Sequence, residues 1–157
     1  MNKPLSLAFL LFSVVFLISM ALPQTPIHWL LKIIPIAILF YAVIQIDASS
    51  DKWMLLAAVV FSAGGDTLLA FGQFVPGLGS FLIAQLAYAV FFVRHWNSVQ
   101  TRWPLTIGLL VYVVIIATIL FPNLGDLQVP VLAYLTAISF MGLTAIQARF
   151  PVKWIVL

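Results

Sequence analysis

The sequence predicts an all-α protein, a polytopic bundle of transmembrane helices. Of its 157 residues, 64% are hydrophobic and 7% are charged, against about 45–50% and about 25% in soluble domains. Seven Lys and Arg residues and four Asp and Glu residues are too few to cover the surface of a soluble domain. Much of the apolar surface must therefore face lipid, a solvent that helices tolerate because they satisfy their own backbone groups.

Six apolar runs are long enough to cross a membrane, which takes about 17–25 residues per helix. They cover residues 5–22, 27–46, 53–71, 77–93, 105–121 and 129–148. Breaking or polar residues bound the runs: Pro23 after the first, Asp47 to Asp51 after the second, Arg94-His95 after the fourth, and Pro104 and Pro122 around the fifth. We predict six spans in one domain, residues 1–157, in which residues 152–157 begin a further span or form an interfacial tail.

The first run also fits a cleaved signal peptide, because Lys3 precedes it and small residues stand before Pro23. However, it is long for the apolar core of a signal peptide, and its removal would spoil the charge pattern. We interpret it as a retained helix.

The basic residues predict the orientation of the chain. If the chain has six spans, one side of the membrane receives no Lys or Arg. The side of the N-terminus receives six basic residues: Lys3, Lys52, Arg94, Arg102, Arg149 and Lys153. Short loops rich in Lys and Arg stay in the cytoplasm, so we expect a cytoplasmic N-terminus and, in a bacterium, the inner membrane. The basic residues are scattered singly, which argues against a nucleic-acid partner.

Two ionisable residues lie well inside the predicted spans. Lys32 is five residues from the start of the second run, and Asp66 is five residues from the end of the third. Both ends lie on the non-cytoplasmic side, so both residues are roughly 7–8 Å below the same membrane face. Ionisable groups at this depth indicate function by default. We expect Lys32 and Asp66 to pair or to face one cavity, although such a pair also serves merely to hold helices together.

Three polar residues extend this candidate site. Ser62 is four residues before Asp66, and Gln85 is three residues before Tyr88, so each pair shares a helix face. Together with Lys32 they predict a wet pocket that opens to the outside, unless Gln85 bonds across helices in a structural role. The adjacent Gly64-Gly65 either admits a substrate or forms a packing notch.

Other catalytic chemistry has no support in the sequence. The chain has no cysteine, which excludes disulfides, thiolate nucleophiles and Cys-ligated metals. It also has no zinc-protease HExxH, P-loop or GxSxG motif. We expect neither a metal nor a cofactor.

The residues around Asp66 resemble the YhhN-like lysoplasmalogenase family. The resemblance covers most of the chain, and its specific parts are the pattern S-x-x-GD-x-LL formed by residues 62–69 and the GLGSF portion that follows it at residues 77–81. Further similar stretches are residues 77–88 (GLGSFLIAQLAY), Lys3-Pro4, the Lys32-containing run, and Tyr134 with Phe140-Met141-Gly142.

The resemblance implies hydrolysis of the vinyl ether bond of lysoplasmalogens to a fatty aldehyde and a glycerophospho-base. Asp66 would be catalytic, and Lys32, Ser62, Gln85 and Tyr88 would bind substrate. The expected partners are the lysophospholipid substrate and membrane lipids. Head-group preference and oligomeric state are open.

Two departures from the family pattern affect this interpretation. Family members usually carry histidine where this chain has Gln85, which puts proton transfer there in doubt. They also have about eight helices, with a second Ser-Asp motif after a tryptophan similar to Trp154. The resemblance therefore implies a chain cut before its second carboxylate, which would lie beyond Leu157, and hence an inactive fragment.

A small transporter or ion-coupled carrier is the main alternative function. In that case Asp66 and Lys32 would form a substrate or proton site. A carrier is expected to have repeated halves or broken helices on matching segments, and the sequence has no such symmetry. A purely structural subunit is a third interpretation.

Overall fold

The computed structural model describes residues 3–21, 26–46, 49–97 and 102–149, and within these ranges the protein is helical. The helices are α1 (Lys3–Ser19), α2 (Pro26–Ile44), α3 (Ser50–Ala70), α4 (Phe74–Arg94), α5 (Trp103–Leu120) and α6 (Gln128–Gln147). Two short 3-10 turns, Phe121–Asn123 and Gly125–Leu127, connect α5 to α6. The all-α helical class predicted from composition is confirmed.

Within the described ranges, four of the helices are long and apolar enough to cross a membrane. These are α3 and α4, the stretch Trp103–Asn123 that includes α5, and the stretch Gly125–Gln147 that includes α6. The first two helices contribute shorter apolar segments, Pro4–Ser19 and Leu31–Ile44. The span boundaries, including a crossing by α1 and α2, stay predictions, and residues 152–157 lie outside the described residues.

Local chemistry sets the ends of α3 and the start of α4. The Ser49 hydroxyl accepts a hydrogen bond from the Lys52 backbone N–H at 3.2 Å, a standard cap for a helix N-terminus. After α3, Gly72 adopts a φ of 72°, a backbone conformation that glycine enters without strain. Pro76 lies in the first turn of α4, where its missing N–H leaves no helical bond unmade.

Helices α3 and α4 form a close antiparallel pair. Leu69 lies beside Gly77 near the connecting turn, and Gly65 lies beside Phe81 one turn further along. Ala58 and Ala84 are fully buried. Small residues allow such an approach, which is how helices pack where lipid removes the hydrophobic driving force.

The remaining helices assemble around this pair. Helix α4 also packs against α6, α2 packs against α1 and α3, and α5 packs against α6. Helix α5 buries none of its own residues. The described core is therefore centred on α3 and α4, which carry four of the five predicted site residues.

Polar contacts join the helix ends on the predicted cytoplasmic side. The Lys52 ammonium donates to the carbonyl oxygens of Ile44 at 2.6 Å and Ile46 at 2.9 Å, which closes the C-terminus of α2. The Arg94 guanidinium donates to the Ser50 hydroxyl at 2.8 Å, which ties the end of α4 to the start of α3.

Candidate functional site within the membrane

The centre of the candidate site is an ion pair between α2 and α3. The Lys32 ammonium contacts the Asp66 carboxylate directly. The matched depths of the two residues predicted that they would pair or share a cavity, and the structure pairs them. Their side chains are 35% and 20% exposed within the protein, so a bound molecule can reach the pair.

The backbone beside Lys32 is also polar. Helix α2 contains Pro35, three residues after Lys32. A proline inside a helix has no N–H to give to the carbonyl four residues earlier. The carbonyl of Leu31 thus loses its usual helical donor next to the ion pair.

A second link joins α3 to α4 next to the ion pair. The Tyr88 hydroxyl lies next to the Ser62 hydroxyl, and both side chains are half-buried. Ser62 is one helical turn from Asp66 on α3. The link therefore places the Tyr88 ring on the face of the α3–α4 pair that carries the aspartate.

Gln85 lies on the same side of this link as Asp66. It precedes Tyr88 by three residues, and α4 runs antiparallel to α3, so Gln85 and Asp66 are both displaced from the link toward the connecting turn. The Gln85 Oε1 atom is buried and has no hydrogen-bond partner among the described residues. The sequence left open that Gln85 bonds across helices in a structural role. Among the described residues, its oxygen forms no such bond.

The two glycines next to Asp66 are occupied by packing. A Cβ atom on Gly65 would lie 2.7 Å from the Phe81 ring, and one on Gly64 would lie 3.1 Å from the Ser80 hydroxyl. That hydroxyl donates to the carbonyl of Phe61 at 2.6 Å. Of the two sequence interpretations, the structure favours the packing notch, since α4 fills the space that a substrate would need.

A second charged cluster at the other end of α3 was not predicted. The Asp51 carboxylate lies 3.6 Å from both the Arg94 guanidinium and the His95 imidazole. The depth argument that paired Lys32 with Asp66 would have found it, because the start of α3 and the end of α4 meet at one membrane face. The cluster is partly exposed and lies far along α3 from Asp66.

No candidate metal site competes with this site in the described residues. No group of three His, Cys, Asp or Glu side chains is arranged to hold a metal ion in that part of the chain. A groove of about 700 Å³ separates α5 from α6, with an apolar lining that includes Val114, Phe140 and Leu143. None of the five predicted site residues lines this groove, and its surface suits hydrocarbon.

The fold and the site define a multi-pass helical membrane protein with an ion pair held between two helices. The profile of the YhhN family matches residues 27–156, so the chain belongs to the YhhN family.

Two curated relatives agree with this assignment. Proteins named lysoplasmalogenase from Mycobacterium bovis and Mycobacterium tuberculosis are each 34% identical to the chain over 112 residues. Each alignment covers 66% of this chain and 42% of the relative, so the chain spans about two fifths of the length of these relatives. No solved structure matches the chain.

Proposed function

We propose that the protein is a lysoplasmalogenase, an integral membrane hydrolase that cleaves the vinyl ether bond of lysoplasmalogens. The observation that carries the proposal is the partly exposed carboxylate of Asp66, paired with Lys32 and carried by a helix apolar enough to span a membrane, in a chain of the YhhN family. The name of the two mycobacterial relatives points to the same substrate.

The chemistry of a vinyl ether needs one well-placed acid. Asp66 in its protonated form gives its proton to the β-carbon, and the π electrons of the double bond form the new C–H bond. The resulting oxocarbenium ion takes up water at the carbon next to oxygen, and the Asp66 carboxylate accepts a proton from that water. The hemiacetal then breaks its bond to the glycerol oxygen, which leaves protonated, and the products are a fatty aldehyde and a glycerophospho-base.

Lys32 has to leave Asp66 before this step. The ammonium contacts the carboxylate in the free protein and favours its charged form, whereas the acid of this step carries a proton. A lysoplasmalogen carries a phosphate, and lysine binds phosphate through charge-assisted hydrogen bonds. We infer that the substrate phosphate draws Lys32 away, so that Asp66 becomes available as an acid once substrate is bound.

The linked hydroxyls of Ser62 and Tyr88 have a supporting role in this proposal. They lie one turn from Asp66 and offer a hydrogen-bond donor to the glycerophosphate part of the substrate. A contact there orients the double bond toward the acid, which is the positioning that makes proton transfer efficient.

The test is aldehyde release by the protein purified in detergent together with any helices that follow residue 157. We expect aldehyde from a lysoplasmalogen and none from the ester-linked lysolipid of the same chain length. Asp66→Asn removes the acid but keeps the shape, so the rate should fall by about 10²–10⁴-fold, the usual contribution of a general acid.

Asp51→Asn is the matched control, because it changes an aspartate at the opposite end of the same helix. It should keep the vinyl ether activity. A folded protein that releases no aldehyde, or an Asp66→Asn variant as active as the wild type, would contradict the proposal. Uptake measured in vesicles would then examine the carrier alternative.

A further inference from the structure

The unpartnered oxygen of Gln85 is the least satisfied group of the site. Its Oε1 atom is buried without a hydrogen-bond partner in the described part of the chain. Such atoms are rare in folded proteins because each loses its bonds to water and gains nothing in return. Inside a membrane, where water is scarce, the imbalance is larger. The atom therefore points to a donor that arrives with a ligand.

The chemistry of the proposed substrate limits which donor this can be. The phosphate and the ether oxygen of a choline lysoplasmalogen only accept hydrogen bonds, whereas its sn-2 hydroxyl can donate one. That hydroxyl is on the carbon next to the one that bears the vinyl ether. Gln85 is likewise near the proposed acid, because Gln85 and Asp66 lie on the same side of the Ser62–Tyr88 link.

We propose that Gln85 Oε1 accepts a hydrogen bond from the sn-2 hydroxyl of the lysolipid and thereby selects lysolipids over diacyl lipids. The proposal rests on the proposed function for the identity of the substrate. The terminal torsion of a glutamine side chain is soft, so the carboxamide can turn its oxygen to the bound hydroxyl. A lipid acylated or methylated at sn-2 has no such donor and leaves the oxygen unpartnered.

Two uncleavable lipids test the proposal by binding alone. One is a 1-O-alkyl-glycerophosphocholine with a free sn-2 hydroxyl, and the other is its 2-O-methyl counterpart, which keeps the oxygen but loses the donor. Both have a saturated ether, so neither can be hydrolysed. The wild type in detergent should bind the hydroxyl lipid about 10- to 100-fold more tightly, the effect of leaving one buried group unpaired.

Substitutions at Gln85 then assign the preference to its oxygen. Gln85→Leu and Gln85→Met remove the acceptor and should bring the ratio of the two dissociation constants near one. Gln85→Glu keeps an acceptor and should keep the preference. Gln147→Leu is the matched control, because the amide of Gln147 already donates to Thr106 at 3.3 Å, and its ratio should equal that of the wild type.

The outcomes separate this proposal from the proposed function. A wild type that binds both lipids equally, or a folded Gln85→Leu or Gln85→Met variant that still prefers the hydroxyl, overturns the role of Gln85. Aldehyde release from a lysoplasmalogen is measured on the same preparation. A preference that depends on Gln85, found without aldehyde release, would support lysolipid recognition and contradict the hydrolase.

Discussion

At the scale of single residues, Lys32 combines two roles that conflict. In the free protein it neutralises Asp66, and a lone carboxylate at this depth would be costly to keep charged. During the proposed reaction the same contact blocks the acid. A substrate with a phosphate resolves the conflict, because it supplies another anion for the ammonium.

This conflict leads to a prediction for Lys32→Gln with two substrates. On a lysoplasmalogen the variant should lose about 10- to 100-fold in kcat/KM, since a charge-assisted hydrogen bond to phosphate contributes about 1.5–3 kcal/mol. On an alkenylglycerol, which lacks the phosphate, the variant should equal or exceed the wild type because Asp66 is no longer occupied. Aldehyde release measures both rates.

Lys52→Gln serves as the control for this prediction. Lys52 bonds to backbone carbonyls at the C-terminus of α2, so its loss should leave the ratio of the two rates unchanged. Equal losses on both substrates by Lys32→Gln would show that Lys32 serves the fold and not the phosphate.

At the scale of elements, the contact between α3 and α4 depends on Gly65. Its missing side chain makes room for the Phe81 ring, which would lie 2.7 Å from an added Cβ. Gly65→Ala should therefore lower the free energy of unfolding by about 1–3 kcal/mol, the usual effect of overpacking. Unfolding in mixed micelles with increasing SDS, followed by circular dichroism, measures the change.

Gly79 provides the matched control on α4. Nothing lies within 4 Å of a Cβ atom at this position, so Gly79→Ala should be neutral or stabilise the helix by about 0.5–1 kcal/mol. If both alanine variants behave alike, α3 and α4 do not meet at Gly65. Recovery of stability by Phe81→Leu in the Gly65→Ala background would locate the clash.

The same elements show what the sequence could predict. Hydrophobic runs located the helices because length and apolarity are local properties, and counting residues from the helix ends paired Lys32 with Asp66. The role of Gly64-Gly65 could not be decided, because it depends on which side chain of α4 faces the notch. The unpartnered Gln85 oxygen was equally beyond the sequence, since only packing determines whether a polar atom meets a partner.

At the scale of the whole molecule, the distribution of basic residues makes a prediction about orientation. A cytoplasmic N-terminus puts the turn between α3 and α4 outside and the start of α5 inside. The chain has no cysteine, so single cysteines can be introduced at the exposed positions Gln73 and Arg102. A membrane-impermeant maleimide applied to cells with an opened outer envelope should label Gln73→Cys and should label Arg102→Cys only after lysis.

The labelling also reports on the site. Asp66 and Lys32 lie near the membrane face that carries Gln73, so labelling of Gln73→Cys from outside would place the ion pair toward the outer leaflet. The reverse pattern would contradict the predicted orientation. The ion pair would then lie toward the cytoplasmic leaflet, and substrate would enter from that leaflet. The Arg102→Cys variant loses one basic residue, but its remaining basic residues keep the charge bias that sets the topology.

Helix α5, which buries none of its residues, has a consequence for how the sequence can change. We expect natural selection to act on its exposed side chains chiefly through their solubility in hydrocarbon, a requirement that Leu, Ile, Val and Phe satisfy about equally. The fully buried Ala58 and Ala84 are instead constrained by volume, because any larger residue separates α3 from α4. The two parts of the chain should therefore diverge at different rates. Distant homologues should keep recognisable sequence similarity in α3 and α4 after they have lost it in α5.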